Sequence, residues 1–277
     1  MKSGPPPGRG RQQSPASGGS AGPAGFWRGR NVFITGASSG IGRALAVELG
    51  RWGARVALMA RREAALHEAA AAVAAAGGQA LVLPGDVTRF DHVRAAVQRV
   101  VDCWGGVDVL VANAGVARPR DPFDPAAVAA VMAVNFQGAV NAVGAVLPVM
   151  RRQAGGRLVA VSSLAGVRGF PQGPAYSASK AALTAYFEAL RTRLRPAGIL
   201  VTVVRPGFVA TEMTAGAGRL PLMVPAEWAA VIIRRGIERG KTSVNFPWLA
   251  ARAMGLVRWL PDGLFDRLVG RIPGRED

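Results

Sequence analysis

Short aliphatic runs alternate with longer Ala-rich stretches along most of this sequence, beginning at residue 31. The runs have the length and β-branched content of buried strands, whereas the stretches between them have helical spacing. This alternation indicates βαβ units, whose crossover helices make the strands parallel and cover both faces of the sheet. The predicted fold class is therefore α/β, a doubly wound, three-layer α/β/α sandwich with a parallel sheet that binds ligands at the carboxyl ends of its strands. Seven strands are predicted, at 31–35, 55–60, 79–83, 107–112, 156–161, 199–205 and 241–245.

One domain with a tail at either end is the predicted organisation. A chain of 277 residues with 50% hydrophobic residues can build one large α/β core, which we place at 26–245. Residues 1–25 are rich in Gly, Pro and Ser and lack an apolar run. They are therefore predicted to be disordered, and to be neither a signal peptide nor a membrane span.

The C-terminal segment, 246–277, begins with apolar helices that Arg258 and Pro261 interrupt. These helices are too short to cross a bilayer. Three placements stay open: packing in the core, a cap over the mouth of the site, and peripheral contact with a membrane surface.

The chain is strongly basic, with a formal charge of +17 from 34 Lys and Arg against 17 acidic residues. The basic residues are scattered rather than gathered in a stripe, which argues against nucleic acid as a partner. Cys103 is the single cysteine and no Cys/His cluster occurs, so we expect no disulfide within the chain and no metal. A reducing, cytoplasmic location is the resulting expectation. Cys103 lies near a predicted helix end and is expected to be a small core residue. His67 and His92 lie on predicted helices away from the strand ends and are expected to be solvated.

A glycine-rich loop, TGASSGIG, follows the first predicted strand. Its glycines have the spacing GxxxGxG, and a helix is predicted to begin at about Gly40. Glycines permit the tight turn, and backbone N–H groups together with the helix dipole then face the pyrophosphate of a dinucleotide. A plain strand-to-helix turn is the alternative. The predicted cofactor contacts in this loop are Gly36, Ser38, Ser39, Gly40, Ile41 and Gly42.

Two arginines, Arg61 and Arg62, follow the second strand, at the position where an acidic residue would bind a ribose 2′-hydroxyl. Guanidinium groups suit a 2′-phosphate instead, and Ser38 and Ser39 would add hydroxyl contacts. The pattern therefore favours NADP(H), with NAD(H) left open. A solvated arginine pair at a helix start is the alternative.

Three further strand ends supply candidate cofactor contacts. After the third strand, Asp86 would accept a bond from the adenine amine and Val87 would donate one, unless Asp86 is a helix N-cap. After the fourth, the small-residue turn ANAG would let the sugar approach the backbone. After the sixth, a Pro-Gly turn would offer backbone and hydroxyl bonds to the carboxamide. The residues of these last two turns are Asn113, Ala114 and Gly115, then Pro206, Gly207, Val209 and Thr211.

Tyr176 precedes Lys180 by one helical turn in a chain with two tyrosines and three lysines. Chance is a weak explanation for this pairing, and the two side chains would share one helix face. A surface tyrosine that stacks on a lysine stem is the alternative. Ser163 ends the fifth strand region, 13 positions before Tyr176, so it would stand at the same edge of the sheet.

The order of these motifs, TGxxxGxG, DV, NAG, Asn135 in VNFQG, Ser163, YxxxK and PGxxxT, resembles the short-chain dehydrogenase/reductase family over about residues 29–245. The sequence ANAG departs mildly from the NNAG of many members. The resemblance implies a single Rossmann-like domain and reversible hydride transfer between a nicotinamide and an alcohol or ketone. It also implies a catalytic set, here Ser163, Tyr176, Lys180 and Asn135, and assembly as a homodimer or homotetramer.

The resemblance gives each of these residues a task. Lys180 would lower the pKa of the Tyr176 phenol from about 10 towards neutrality and would bond the nicotinamide ribose. Ser163 would bind the substrate oxygen as charge develops, with Ser162 as the nearby competitor. Asn135 would distort a long helix locally and bind a water that leads protons to Lys180.

The predicted function is an NADP(H)-dependent oxidoreductase acting on a small molecule. The segment after Gly207 is rich in Phe, Met, Leu and Val and would form a lid, which favours an apolar or lipid-like substrate. A dinucleotide-binding regulator without turnover is one alternative. A protein that uses its basic surface on lipid or nucleic acid is another.

Overall fold

The computed structural model describes residues 23–117, 121, 123–216 and 220–269. The strands are β1 Asn31–Thr35, β2 Arg55–Ala60, β3 Gln79–Pro84, β4 Val109–Ala112, β5 Gly156–Val161, β6 Ile199–Pro206, β7 Val209–Ala210, β8 Val224–Pro225 and β9 Ser243–Phe246. Within the described residues, seven of them form one parallel sheet in the order β3-β2-β1-β4-β5-β6-β9, and β7 pairs separately with β8. The chain order reverses between β1 and β4, which is the switch point where such sheets bind ligands.

The helices are α1 Pro23–Trp27, α2 Gly40–Arg51, α3 Glu63–Ala75, α4 Phe90–Trp104, α5 Pro125–Met132, α6 Gly138–Arg152, α7 Pro174–Leu194, α8 Ala226–Glu238, α9 Trp248–Val257 and α10 Asp262–Val269. Two apolar cores lie on opposite faces of the sheet because successive strand residues point in opposite directions. In β1, Val32 and Ile34 pack in the core of α2, α3 and α8. Phe33 packs in the other core, with α4, α6 and α7.

The predicted doubly wound three-layer fold is confirmed, and so are the seven predicted strands. Each strand end falls within two residues of its prediction, which is the range over which strand ends are ordinarily assigned differently. The largest shifts are at the starts of β4, predicted at residue 107 and observed at Val109, and of β9, predicted at residue 241 and observed at Ser243.

The N-terminal boundary lies earlier than predicted. Residues 1–22 of the predicted disordered tail lie outside the described residues, but the last three residues of 1–25 already belong to α1. The reason is a tertiary anchor, since Trp27 is buried and its Nε1 donates a hydrogen bond to Glu238 Oε1 at 2.6 Å.

The C-terminal segment forms two helices, α9 and α10, joined around Pro261. Every residue of α9 is at least partly exposed, so packing of α9 in the core is wrong. In α10, Phe265 and Val269 are buried. The pair leaves several large apolar side chains facing outward: Trp248, Leu249, Leu256, Trp259, Leu264 and Leu268.

One helical run among the described residues, 125–152, is long and apolar enough to span a bilayer, a test that core helices of globular proteins also pass. Its α6 portion contributes Ala142, Val146 and Met150 to the core beneath the sheet. We therefore describe this run as a core helix.

Cys103 is exposed, so the expectation that it is a small core residue is wrong. The buried stripe of α4 consists of Val93, Ala96, Val97 and Val100. Val101 and Trp104 continue the packing of this helix against the core, whereas Asp102 and Cys103 lie on its exposed face.

Candidate active site

Tyr176 and Lys180 lie in the first two turns of α7, which begins directly after the loop that follows β5. The Lys180 Nζ is 5.8 Å from the centre of the Tyr176 ring. It is buried and donates a hydrogen bond to the carbonyl oxygen of Val161, the last residue of β5, at 2.9 Å. Burial lowers the pKa of Lys180 from its ordinary 10.5 to about 8, because the charged ammonium loses hydration. The helix thus places a desolvated cation beside the phenol.

Asn135 lies in a π-helical turn, Ala133–Gln137, between α5 and α6. The predicted local distortion of the helix at this residue is therefore confirmed, and π-turns are frequent at functional sites. Both ends of the buried amide are hydrogen-bonded: Asn135 Oδ1 accepts a bond from Val116 N at 2.7 Å. Its Nδ2 donates to Val116 O at 3.1 Å and to Ser179 Oγ at 3.0 Å. These bonds fix the orientation of the side chain next to α7.

Gly115, in the turn after β4, lies against Asn135 and Lys180. A Cβ atom on Gly115 would lie 3.3 Å from Asn135 Oδ1 and 3.5 Å from Lys180 Nζ. Gly115, Asn135 and Lys180 span 65 positions of the sequence, but they lie together at the carboxyl edge of the sheet.

Two serines follow β5, and they differ in burial and in their hydrogen-bond partners. Ser162 is buried, and its hydroxyl contacts Lys180 O at 2.9 Å and Thr184 Oγ1 at 2.8 Å. Ser163 is partly exposed, and its Oγ accepts a bond from Ala165 N at 3.1 Å. Since accepting that bond leaves the Ser163 hydroxyl hydrogen able to donate, Ser163 is the better placed of the two to bind a substrate oxygen.

The glycine loop after β1 is packed too closely for other residues. Gly36 has a φ of +67°, and a Cβ on it would lie 2.7 Å from Ala114 Cα. A Cβ on Gly42 would lie 2.4 Å from Gly36 O. The Asn113 Nδ2 donates to the carbonyls of Thr35 and Gly36, both at 3.0 Å. The ANAG turn and the glycine loop therefore pack against each other, and the Asn113 amide stabilises the loop through these two hydrogen bonds.

The first turn of α2 fits a pyrophosphate. The helix begins at Gly40, as predicted, and Ser39 at its N-cap position makes no side-chain capping bond. The N–H groups of the first helical turn have no partner within the helix, and the helix dipole favours an anion there. Ile41 is half-buried and packs against the core of α2, so it anchors this turn.

The arginines after β2 lie next to the glycine loop. Arg61 is exposed, and its charge acts on the Asp86 carboxylate. Arg62 Nη2 donates to Glu212 Oε2 at 2.9 Å and to Ser38 Oγ at 3.4 Å. Sequence reasoning missed Glu212, because a partner 150 positions away leaves no local signal.

Asp86 and Val87 are fixed after β3. Asp86 Oδ1 accepts bonds from the amide and the hydroxyl of Thr88, both at 2.9 Å, so the alternative of an N-cap on α4 is wrong; Arg89 occupies that position. Desolvation raises the pKa of Asp86, but these bonds and the positive charge nearby lower it below its ordinary value overall. The carbonyl of Val87 accepts a bond from Asn141 Nδ2 at 2.8 Å.

His92 belongs to this corner, although the sequence placed it on a helix away from the strand ends. The placement on α4 is correct, but the first turn of α4 brings the ring back to the end of β3. Its Nδ1 accepts a bond from the Asp86 amide at 3.3 Å. The expectation that His92 is exposed to solvent is confirmed, but the expectation that it lies away from the strand ends is wrong.

The segment after β6 returns to the glycine loop. The amide of Gly207 donates to Phe246 O at 2.7 Å, and Pro206 ends β6. Val209 pairs with Val224 in the β7–β8 ribbon. The Thr211 Cγ2 lies 3.2 Å from the position that a Cβ on Gly40 would take. This segment therefore lies against the start of α2, and residues 217–219 beyond it lie outside the described part.

An apolar cleft of about 630 Å³ separates the loop after Ser163 from α10, and its lining includes Phe170 and Phe265. Arg168 closes one side of the cleft, with its guanidinium 4.0 Å from the Phe265 ring. It also donates to the carbonyls of Val257 at 3.1 Å and Leu260 at 2.6 Å. The C-terminal helices are thus joined to the loop that carries Ser163.

The fold, with a glycine loop at the switch point of a parallel sheet, belongs to the Rossmann-like class. The family model described as short chain dehydrogenase matches residues 30–219. The chain belongs to the short-chain dehydrogenase/reductase family of oxidoreductases. Members of this family generally bind NAD(H) or NADP(H), act on small molecules and are commonly oligomeric.

Relatives extend over most of the chain. It is 39% identical over 248 residues to an uncharacterized oxidoreductase of Myxococcus xanthus, covering 88% of this chain and 97% of the relative. It is 34% identical to the 11-beta-hydroxysteroid dehydrogenase-like 2 protein of Arabidopsis thaliana, over 80% of this chain and 75% of that one. A short-chain dehydrogenase/reductase structure from Mycobacterium marinum superposes with a TM-score of 0.72 at 28% identity, covering 79% of this chain and 92% of that one.

Proposed function

We propose that this protein is an NADP(H)-dependent oxidoreductase that interconverts a secondary alcohol and a carbonyl on an apolar or lipid-like substrate. The observation that carries the proposal is the convergence of a buried Lys180, the Tyr176 ring and the π-turn Asn135 at the carboxyl edge of the sheet. When bound, the dinucleotide supplies or accepts the hydride.

The side chains would manage the proton and the charge. Tyr176 gives its phenolic proton to the substrate oxygen during reduction and takes it back during oxidation. The Lys180 ammonium, 5.8 Å from the ring, stabilises the phenolate and so lowers the pKa of the phenol. Ser163 donates a hydrogen bond to the same substrate oxygen. Asn135 fixes the segment 115–116 beside Lys180, where a water would connect the lysine to solvent.

The cofactor would lie across the switch point. Gly36, Gly40 and Gly42 let the pyrophosphate approach the backbone at the start of α2, where further contacts come from Ser39 and Ile41. The proposed adenine and sugar contacts are Asp86, Val87, Asn113, Ala114 and Gly115. The proposed nicotinamide contacts are Tyr176, Lys180, Pro206, Gly207, Val209 and Thr211.

The preference for NADP(H) over NAD(H) is supported by the chemistry at the end of β2. Arg61 and Arg62 stand where an acidic residue would select a free 2′-hydroxyl, and Ser38 lies within 3.4 Å of Arg62. A 2′-phosphate carries up to two negative charges and is bound well by a guanidinium fork.

An apolar substrate is supported by the surroundings of the site. The segment after Gly207 exposes Phe208, Met213 and Leu222. A relative named for hydroxysteroid dehydrogenases is consistent with a lipid-like substrate. The cleft beside the loop of Ser163 is also largely apolar.

The test is NADPH consumption against a panel of apolar ketones and aldehydes, with Tyr176→Phe as the control. We expect turnover by the wild type and none by the variant, while both bind NADPH. NADPH binding without turnover on any carbonyl of a broad panel would favour the alternative, a dinucleotide-binding regulator.

We also propose a homodimer or homotetramer in the cytoplasm, with α9 and α10 in contact with an anionic lipid surface. Exposed Trp248 and Trp259 each lie within 6 Å of an arginine, Arg252 and Arg258 respectively, a combination that suits a membrane interface. The formal charge of +17 complements anionic headgroups.

The two proposals have separate tests. Light scattering measures whether the protein is a homodimer or a homotetramer. Sedimentation with phosphatidylserine vesicles tests the surface, and binding that Trp248→Ser/Trp259→Ser leaves unchanged would refute it.

A further inference from the structure

Three segments that are distant in sequence meet at the guanidinium of Arg62. Arg62 itself follows β2, Ser38 belongs to the glycine loop, and Glu212 follows Thr211 in the segment after β7. Arg62 Nη2 donates to Glu212 Oε2 at 2.9 Å and to Ser38 Oγ at 3.4 Å. The ion pair is open to solvent, with side-chain exposures of 54% for Arg62 and 65% for Glu212.

A carboxylate and a phosphate compete for the same donors of a guanidinium group, because both accept its N–H bonds in the same planar geometry. A 2′-phosphate bound by Arg62 would also stand next to the Glu212 carboxylate and be repelled by it. A dinucleotide with a free 2′-hydroxyl neither competes for these donors nor is repelled by Glu212, so it leaves the ion pair intact.

We propose that Glu212 is a specificity-determining residue that competes with the 2′-phosphate of NADP(H) for Arg62. A 2′-phosphate that takes the Nη2 donor of Arg62 displaces the Glu212 carboxylate from it, whereas NAD(H) leaves this contact in place. The inference rests on the proposed function, because it needs the 2′-phosphate to lie at Arg62. An exposed ion pair of this kind is worth up to about fivefold in affinity, or about 1 kcal/mol at 1.4 kcal/mol per tenfold.

The experiment measures dissociation constants for NADPH and NADH by nicotinamide fluorescence in the full chain and in Glu212→Gln. We expect Glu212→Gln to bind NADPH about two- to fivefold more tightly, with NADH affinity unchanged. The matched control is Glu227→Gln, which removes another exposed carboxylate, at the start of α8. Equal tightening by both substitutions would show a general effect of net charge and would overturn the proposal.

An Arg62→Met background shows whether the effect runs through the ion pair. Glu212→Gln should leave the NADPH affinity of Arg62→Met unchanged, and tightening of the same size there would refute the competition. A wild type that binds no dinucleotide would refute the proposed function itself. A wild type that binds NADPH, with a ratio of NADPH to NADH affinity that Glu212→Gln does not alter, would refute the role of Glu212 alone.

Discussion

Replacement of Lys180 by Met should change the pH dependence of folding in a direction that the burial of this lysine dictates. The pKa of Lys180 is about 8 in the folded protein, against 10.5 ordinarily. That difference corresponds to about 3 kcal/mol of unfavourable desolvation at pH 7, where the lysine is protonated in both states. The proposed active site therefore bears a charge that weakens the fold.

The sign follows from proton binding. Between the folded pKa of about 8 and the unfolded value of 10.5, the unfolded chain binds more protons at this position than the folded chain. The contribution of Lys180 to the free energy of unfolding therefore rises with pH, by about 2.5 kcal/mol between pH 7 and pH 10. Tyr176 is the titratable side chain beside it, and the proposed action of Lys180 on the phenol would make Tyr176 titrate differently in the two proteins. The same comparison in a Tyr176→Phe background removes that contribution.

Lys180→Met removes this charge and also the bond to Val161 O, whose loss costs about 1–3 kcal/mol. Without cofactor, the variant should be between equal to the wild type and about 2 kcal/mol more stable at pH 7. It should be equal to or less stable than the wild type at pH 10.

The assay is urea unfolding of the cofactor-free proteins between pH 7 and pH 10. Exposed Lys241, replaced by Met, provides the control and should leave the pH dependence as in the wild type. Parallel stability curves for wild type and Lys180→Met would show that this lysine is not desolvated, and would refute the reasoning.

Four further substitutions test the site. Tyr176→Phe should lower kcat by about a thousandfold or more, because the proton donor is gone, with NADPH affinity retained in a fluorescence titration; substantial residual turnover would remove this residue from its role. Ser163→Ala should lower kcat by about a hundredfold with the melting temperature unchanged, whereas Ser162→Ala should mainly destabilise the fold by about 1–2 kcal/mol through its lost buried bonds; steady-state kinetics and thermal unfolding would contradict this if the effects were exchanged. Arg61→Asp should shift the ratio of kcat/KM values from NADPH towards NADH by about tenfold or more, and an unaltered ratio would place the phosphate elsewhere.

Much of the candidate site is built by close approach of backbones rather than by side chains that reach for a ligand. Gly36 and Gly42 have no room for a Cβ atom. The Asn113 side-chain amide donates its hydrogen bonds to the backbone carbonyls of Thr35 and Gly36, which precede α2. Gly166 similarly lets the turn after Ser163 pack on α7, since a Cβ there would lie 2.8 Å from the carbonyl carbon of Lys180. An alanine at any of these glycines would have to displace the backbone that it meets.

The sequence by itself determined the fold class, the strands and the shortlist of site residues. Strand and helix periodicities are local, so they can be read from neighbouring residues. The turn between Tyr176 and Lys180 and the start of α2 at Gly40 are also encoded within a few residues. The distortion at Asn135 was expected from the family resemblance.

Only the tertiary structure shows which distant segments are in contact. It also shows whether residues with a weak burial signal are buried or exposed. It paired Arg62 with Glu212, brought His92 to the amide of Asp86, and separated Ser162 from Ser163 by their bonds. It also left Cys103 and α9 exposed, against expectation for the cysteine. A local pattern states that a residue is apolar or charged, but its partner depends on how the crossovers stack segments that are up to 150 positions apart.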